Sequence, residues 1–258
     1  MKFLKYLIVF TFFILFSCAP NDDEALPGIP DPAGFSPGVV LTLDDDYVEN
    51  WASAQDILKV YNWKATFFIT KCNQLSTDEL TKLQEFNTYG HEIAAHGLNH
   101  FNAPQFFAAD GAEAYIATEI QPMMKIMDDN GLHTTSFAYP FGARNAVTDA
   151  TLLNNFRILR GTTYGSQSPE YQNCYYTGSK VVFGLGIDSS YPHFNIPYFL
   201  SILKYAKEHN KIVVFYAHKP VETSTADYQT EYKTLVEICK YVKANNMKFY
   251  KMSELCDL

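Results

Sequence analysis

Basic residues, paired cysteines and long apolar runs are all scarce in this 258-residue chain, and each scarcity removes a class of function. Twenty lysines and arginines face 28 aspartates and glutamates, a net charge of −8. A surface of that sign argues against nucleic acid or anionic lipid as the main partner. The apolar stretch Tyr6 to Phe16, broken only by Thr11, is too short to span a bilayer. Of the five cysteines, no two are spaced like a zinc-ligating pair. Cys72, Cys174, Cys239 and Cys256 allow three disulfide pairings in an exported protein, and buried free thiols are the default expectation.

Lys2 and Lys5 ahead of the Tyr6–Phe16 run make residues 1–17 a secretory signal peptide. Leu15-Phe16-Ser17-Cys18 resembles a bacterial lipoprotein signal, which implies lipidation of Cys18 as the first mature residue. Residues 18–36, with Pro20, Pro27, Pro30, Pro32 and the acids Asp22, Asp23 and Glu24, read as a solvated tether. The expectation is an exported protein anchored by lipid to a bacterial outer membrane, facing the periplasm or the outside. Loss of Lys2 and Lys5 leaves 18 basic and 28 acidic residues, a net charge of −10. Residues 37–258 are enough for one core and one α/β domain.

That domain alternates strands and helices. Gly38 to Leu43 is a β-type run ending in aspartates, and Trp51, Ala54, Ile57, Leu58 and Tyr61 form a helical stripe after it. Ala65–Ile69, His91–Ala95, Thr135–Tyr139, Arg157–Gly161, Lys180–Ile187, Ile212–Tyr216 and Met247–Tyr250 read as further strands. Ser76 with Glu79 predicts a capping box, Asn130-Gly131 the end of a helix over 112–129, and Asn195 with Pro197 the start of another. Segments 101–111 and 162–178 read as loops. Seven or eight β/α units favour a barrel of seven or eight parallel strands over an open sheet.

In such a barrel the C-terminal strand ends converge on one face, where active sites are built. Asp44, Asp45 and Asp46 end the first strand, and His96 and His100 follow the third. Clustered carboxylates repel one another unless a cation or hydrogen bonds compensate them. Their plain alternative is a solvated loop in which Asp44 or Asp46 caps the next helix. Two histidines four apart with one carboxylate and open positions suit catalytic Zn²⁺, and other divalent ions are compatible. His91 is five residues from His96 and starts a strand, so a zincin-type site is excluded.

These stretches in this order resemble the polysaccharide deacetylases, the NodB-homology domain of carbohydrate esterase family four. The resemblance runs over roughly residues 37–256 and implies a distorted barrel and a metal-dependent deacetylase. Thr42-Leu43-Asp44-Asp45 matches the first motif, which implies Asp44 as catalytic base and Asp45 as metal ligand. His96 to His100 matches the second, with Gly97 in place of a hydroxyl residue, and implies two further ligands for Zn²⁺, Co²⁺ or Ni²⁺. Ala138-Tyr139-Pro140-Phe141 matches the third without its arginine, leaving Arg144 or Arg160 to reach the site instead. It implies Tyr139, Pro140 and Phe141 as substrate contacts and the backbone N–H of Phe141 as oxyanion donor. Phe215-Tyr216-Ala217-His218 implies His218 as general acid, with Asp188 as its candidate partner and no tryptophan after Asp188. The implied partner is an acetylated polysaccharide handled by a monomer. Rival readings are an O-acetyl esterase on a xylan-like glycan, an inactive glycan-binding protein of the same fold, and a small-amide hydrolase with a closed pocket.

Overall fold

The computed structural model describes residues 34–165 and 167–258; the leader, Cys18 and most of the tether lie outside them. Ten strands follow in chain order: β1 (Gly38–Asp45), β2 (Thr66–Ile69), β3 (Glu92–Ala95), β4 (Ser136–Ala138), β5 (Ile158–Thr163), β6 (Val181–Gly186), β7 (Ile212–Ala217), β8 (Lys219–Val221), β9 (Gln229–Glu231) and β10 (Lys248–Tyr250). β1 to β7 pair in sequence order, all parallel, and β7 returns to β1 from Gly38↔Ile212 to Leu43↔Ala217. The barrel is therefore closed with seven strands, and β10 is one extra.

The distortion has a local cause. Along its other edge β1 pairs first with β10, over Gly38–Val40, and only then with β2, over Thr42–Asp45. β10 thus wedges between β1 and β2 at the N-terminal end. Gly38 permits this, because a Cβ there would lie 2.4 Å from the Lys248 carbonyl oxygen. Below the wedge, the buried Glu92 carboxylate accepts from Thr66 Oγ1 (3.0 Å), Ser136 Oγ (2.6 Å) and Ser253 N (2.9 Å) and closes the barrel floor.

Side chains alternate between the two faces of each strand, which yields two cores. Val39, Leu41, Leu43, Phe67, Ile93, Phe137, Leu159, Val213 and Phe215 point outward into the layer shared with the helices. Val40, Phe68, Ala94, Ala138, Ile158, Val182 and Val214 fill the interior.

Helix signals explain most boundaries. Ser76 and Glu79 form the expected reciprocal cap, and the Asn195 side chain accepts from Tyr198 N at the start of Ile196–Glu208. The helix expected over 112–129 is present but carries a π-turn at Ile116–Ile120, where Gln121 N–H reaches back to Ile116 O. Pro122 accounts for it: a ring lacking an N–H cannot continue the regular ladder. Segment 101–111 is no loop; Ala103–Asp110 is a helix capped by Asn102, with Pro104 in its first turn. Neither Asp44 nor Asp46 caps Val48–Leu58, whose N-cap is Tyr47 with no side-chain bond. The four cysteines after Cys18 are free thiols. Burial pushes Cys72 up to about 11 and Cys174 up to about 12, so they are inert packing. Among the described residues no helix is long and apolar enough to cross a membrane.

Candidate active site

The interior rows change from apolar to polar toward the C-terminal strand ends. Following every second residue gives Val40, Thr42 and Asp44 on β1, then Ala94 and His96 on β3. On β5 and β7 the rows are Ile158 and Arg160, then Val214, Tyr216 and His218. Strand parity alone aims Asp44, His96, Arg160 and His218 at one another.

Asp44 is 2% exposed, and its Oδ2 accepts from Arg160 Nη2 at 2.5 Å. Arg160 is itself buried, its guanidinium lying 5.4 Å from the Phe68 ring centre and 5.0 Å from that of Tyr216. Gly184 makes room, since a Cβ there would come within 3.1 Å of Arg160 Cδ. Burial raises the Asp44 carboxyl above its ordinary value, against the pull of Arg160 and His218. Its other oxygen, Oδ1, is buried with no hydrogen-bond partner, so its lone pairs are unused. Of the two arginines considered from sequence, Arg160 is the one that reaches Asp44. Arg144 pairs with Asp149 instead.

By parity Asp45 should face outward. A φ of +85° ends the alternation and turns its carboxylate inward, where Oδ1 lies 3.6 Å from His96 Nε2 and 3.4 Å from His100 Nε2. One ligand atom from each of the three falls within a 4.8 Å cluster. His96 Nδ1 bonds the Ala138 carbonyl at 2.8 Å, which fixes the tautomer leaving the Nε2 lone pair on the site. Burial holds His96 well below its ordinary value and His100 at about 4, so both rings are neutral near pH 7. Burial also raises Asp45 to about 6. Two imidazole nitrogens and one carboxylate, with Asp44 Oδ1 unsatisfied beside them, fit a zinc-like divalent ion. Asp46 lies outside the cluster and pairs with Lys71 at 3.4 Å.

On the facing wall, His218 Nδ1 bonds Asp188 Oδ2 at 2.5 Å, and Asp188 Oδ1 also accepts from His218 N and from Thr230 Oγ1. Burial alone would lower His218. The hydrogen bond and charge of Asp188, with Asp44 and Asp45 adding, outweigh it and hold the imidazole above 6.5. Trp51 Nε1 donates to the His218 carbonyl at 2.9 Å, fixing the strand end. The β8–β9 pair, absent from the expected elements, is what carries Thr230 to Asp188.

Phe141 sits in a tight turn with φ +61°, its ring 4.6 Å from that of His100. Tyr139 reaches the cavity, but its hydroxyl is tied to Asp149 Oδ1 at 2.9 Å, so it serves packing as much as recognition. Pro140 is buried and does not line the cavity, contrary to the expectation of a substrate contact, because it forms the inner side of the turn. The cavity holds about 380 Å³. Its rim carries Phe141, Tyr164 and Tyr228, which are 69%, 88% and 53% exposed. Tyr191 supplies an aromatic wall where the sequence has no tryptophan after Asp188. A larger hollow of about 520 Å³ beside Arg157 and Cys256 has no comparable set of acids and histidines.

Part of the chain is similar to known proteins, and its fold is shared with several solved structures. A family model described as polysaccharide deacetylase matches residues 35–156. A Bacillus subtilis (strain 168) protein, YxkH, named as a putative polysaccharide deacetylase, is 30% identical over 118 residues, 43% of this chain; the match spans 39% of that protein's length. Among solved structures, the family 4 esterase domain of a multidomain xylanase from the hindgut metagenome of Trinervitermes trinervoides superposes with a TM-score of 0.59. Its identity is 19%, covering 86% of this chain and 91% of that one. The catalytic domain of a peptidoglycan N-acetylglucosamine deacetylase from Eubacterium rectale gives 0.53 at 18% identity over 90% and 92%. A family 4 acetyl xylan esterase from Clostridium thermocellum, in complex with cobalt, gives 0.51 at 18% over 84% and 89%. Identities this low speak to fold alone, and that fold is the barrel described above. Over its segment 35–156, just under half of its length, the chain is similar to the polysaccharide deacetylase family.

Proposed function

We propose that the chain is a metal-dependent hydrolase that removes acetyl groups from a polysaccharide, with the N-acetyl group of an N-acetylglucosamine-type glycan as the favoured target. The observation that carries this reading is one cavity holding three separate devices. These are a base with an unpartnered oxygen (Asp44), a donor triad for a divalent ion (Asp45, His96, His100) and a carboxylate-backed histidine (His218).

The ion, when bound, supplies Lewis acidity toward the acyl oxygen and makes water acidic enough to react near neutral pH. Asp44 Oδ1 takes the proton as the water oxygen bonds to the acyl carbon. The developing oxyanion lies near the backbone N–H of Phe141, a kind of contact worth about 3–4 kcal/mol in other hydrolases. His218, held protonated by Asp188, gives its proton to the leaving nitrogen as the C–N bond breaks, and acetate and the free amine result. An ester substrate would use the same groups with oxygen leaving. The exposed rings of Phe141, Tyr164 and Tyr228 suit stacking on pyranose faces, which favours a glycan over a small enclosed amide. The Arg160–Asp44 pair answers the missing third-motif arginine and so weakens the inactive reading.

The test is acetate release from acetylated chito-oligosaccharides and acetylated xylan, by metal-stripped protein and after restoring Zn²⁺ or Co²⁺. Release that needs the ion is the expected result, and the faster substrate assigns amide or ester. Protein that binds no ion, or that releases acetate equally well without one, would sink the reading.

His218 gives a pH dependence with a definite sign. Asp188 raises its folded pKa above the ordinary value, so the protonated acid persists to higher pH and kcat/KM falls as pH rises through the raised pKa. The same pairing stabilises the fold, fully below 6.5 and decreasingly as pH climbs through the raised pKa. Asp188→Asn removes the main raising influence, so the alkaline limb of the rate profile should move to lower pH. A limb that stays in place would remove His218 from the acid role.

A further inference from the structure

Glu119 is fully buried, yet none of the expected chemistry uses it. Its carboxylate accepts from Asn99 N at 3.0 and 3.1 Å, from Asn99 Nδ2 at 2.6 Å and from Phe101 N at 3.4 Å. Its backbone carbonyl accepts from Leu98 N at 3.3 Å. The donors are all N–H groups, with no lysine or arginine among them, and they flank His100 on both sides. The loop can present them because Gly97 and His100 both take left-handed φ, +80° and +62°, which makes successive amides converge as in an anion-binding nest.

We propose that Glu119 is a positioning residue for the metal ligands: its carboxylate is the internal anion around which the His96–His100 loop is folded, and it sets the approach of His100 to the ion. The proposal rests on the metal reading of Asp45, His96 and His100. Two features beyond the hydrogen bonds support it. Glu119 lies in the π-turn Ile116–Ile120, an insertion that changes the direction of the residues within it. Gly97 is fitted to it as well, since a Cβ at 97 would lie 2.7 Å from Glu119 Oε2. The carboxylate thus occupies the space that a side chain at 97 would need. On its other side the loop is held by His96 N on Ile69 O at 2.9 Å and by its carbonyls, with Thr70 Oγ1 on Gly97 O at 2.7 Å and Lys71 N on Leu98 O at 3.1 Å. Those bonds leave the amides of 99 and 101 to Glu119.

The experiment is a Zn²⁺ and Co²⁺ titration of the metal-stripped chain and of Glu119→Ala, Glu119→Gln and Gly97→Ser. The Co²⁺ visible spectrum is recorded alongside, and thermal melts are run in chelator. Outer-shell partners of ligands typically contribute about 10–100-fold in metal affinity. Glu119→Ala should lose about that much and alter the Co²⁺ spectrum, with Glu119→Gln losing less because one oxygen still accepts. Gly97→Ser should weaken binding too, and its further loss should be smaller in the Glu119→Ala background, since the clash partner is gone. If Glu119→Ala does not fold, Glu119→Gln and the Gly97→Ser variant carry the same comparison. Unchanged affinity and spectrum in a variant that melts lower would make Glu119 a packing residue and overturn the proposal alone. Failure of the unmodified chain to bind either ion would overturn the metal reading and this proposal with it.

Discussion

Asp44→Asn is expected to lower kcat for acetate release by about 10²–10⁴-fold, the usual worth of a positioned general base. The amide keeps an oxygen that can accept from Arg160 Nη2, so the side chain holds its place, but it cannot take a proton from water. KM should change little, because Asp44 is almost wholly buried at the wall of the cavity and Oδ1 is its one oxygen without a partner. Metal affinity should also hold, since the three ligand atoms belong to Asp45, His96 and His100. Single-turnover acetate release with Zn²⁺ restored, beside a metal titration, separates these outcomes. A variant that keeps more than about a tenth of the rate would move the base elsewhere.

Arg160→Met should produce the largest loss of stability. Arg160 and Asp44 are both buried and oppositely charged, 2.5 Å apart. Removing one partner of such a pair typically costs about 3–5 kcal/mol, because the other charge is left in a medium that cannot solvate it. For a domain of about this size, each kcal/mol moves Tm by about 2–4 °C, so a fall of roughly 6–20 °C is expected. Activity should fall with it, since burial already raises Asp44 and an unpaired carboxyl there takes up a proton. The double variant Asp44→Asn with Arg160→Met carries neither charge and should recover much of the lost Tm while remaining inactive. Calorimetry of the four proteins tests the pair as a cycle. Strictly additive losses would mean that the two charges do not interact.

Much of this site is legible in the amino-acid sequence, and the legible part is local. The Asp44-Asp45 and His96–His100 stretches lie at strand ends because the apolar runs before them stop there. Inward aim follows from a period of two along each strand. Applied to β5, the same rule separates Arg160, two residues on from the interior Ile158, from Arg144, which lies outside any strand. The Asp188–His218 pair was likewise in reach, since each residue follows directly on a strand of the barrel or one residue later.

Other features had no local signal. Asp45 faces the site only because its backbone leaves the strand alternation. Tyr139 is tied to Asp149, and Pro140 stands behind the turn instead of on the cavity. Thr230 reaches Asp188 through a short strand pair that three-residue runs do not announce. Glu119 sits in a helix whose π-turn could have been suspected from Pro122, but nothing near it in sequence names the loop it holds.

Strand and helix order, the parallel barrel class and the identity of Asp44, of the Asp45, His96 and His100 cluster and of the Asp188–His218 pair are all encoded locally. They follow from hydrophobic period, caps and breakers, each written within a few neighbouring residues. Closure of β7 onto β1, the wedge of β10, and the bond between Arg160 and Asp44 across 116 residues arise only in the folded chain. Such contacts depend on which distant segments share an edge or a barrel interior, and that choice is made by the packing of the whole chain.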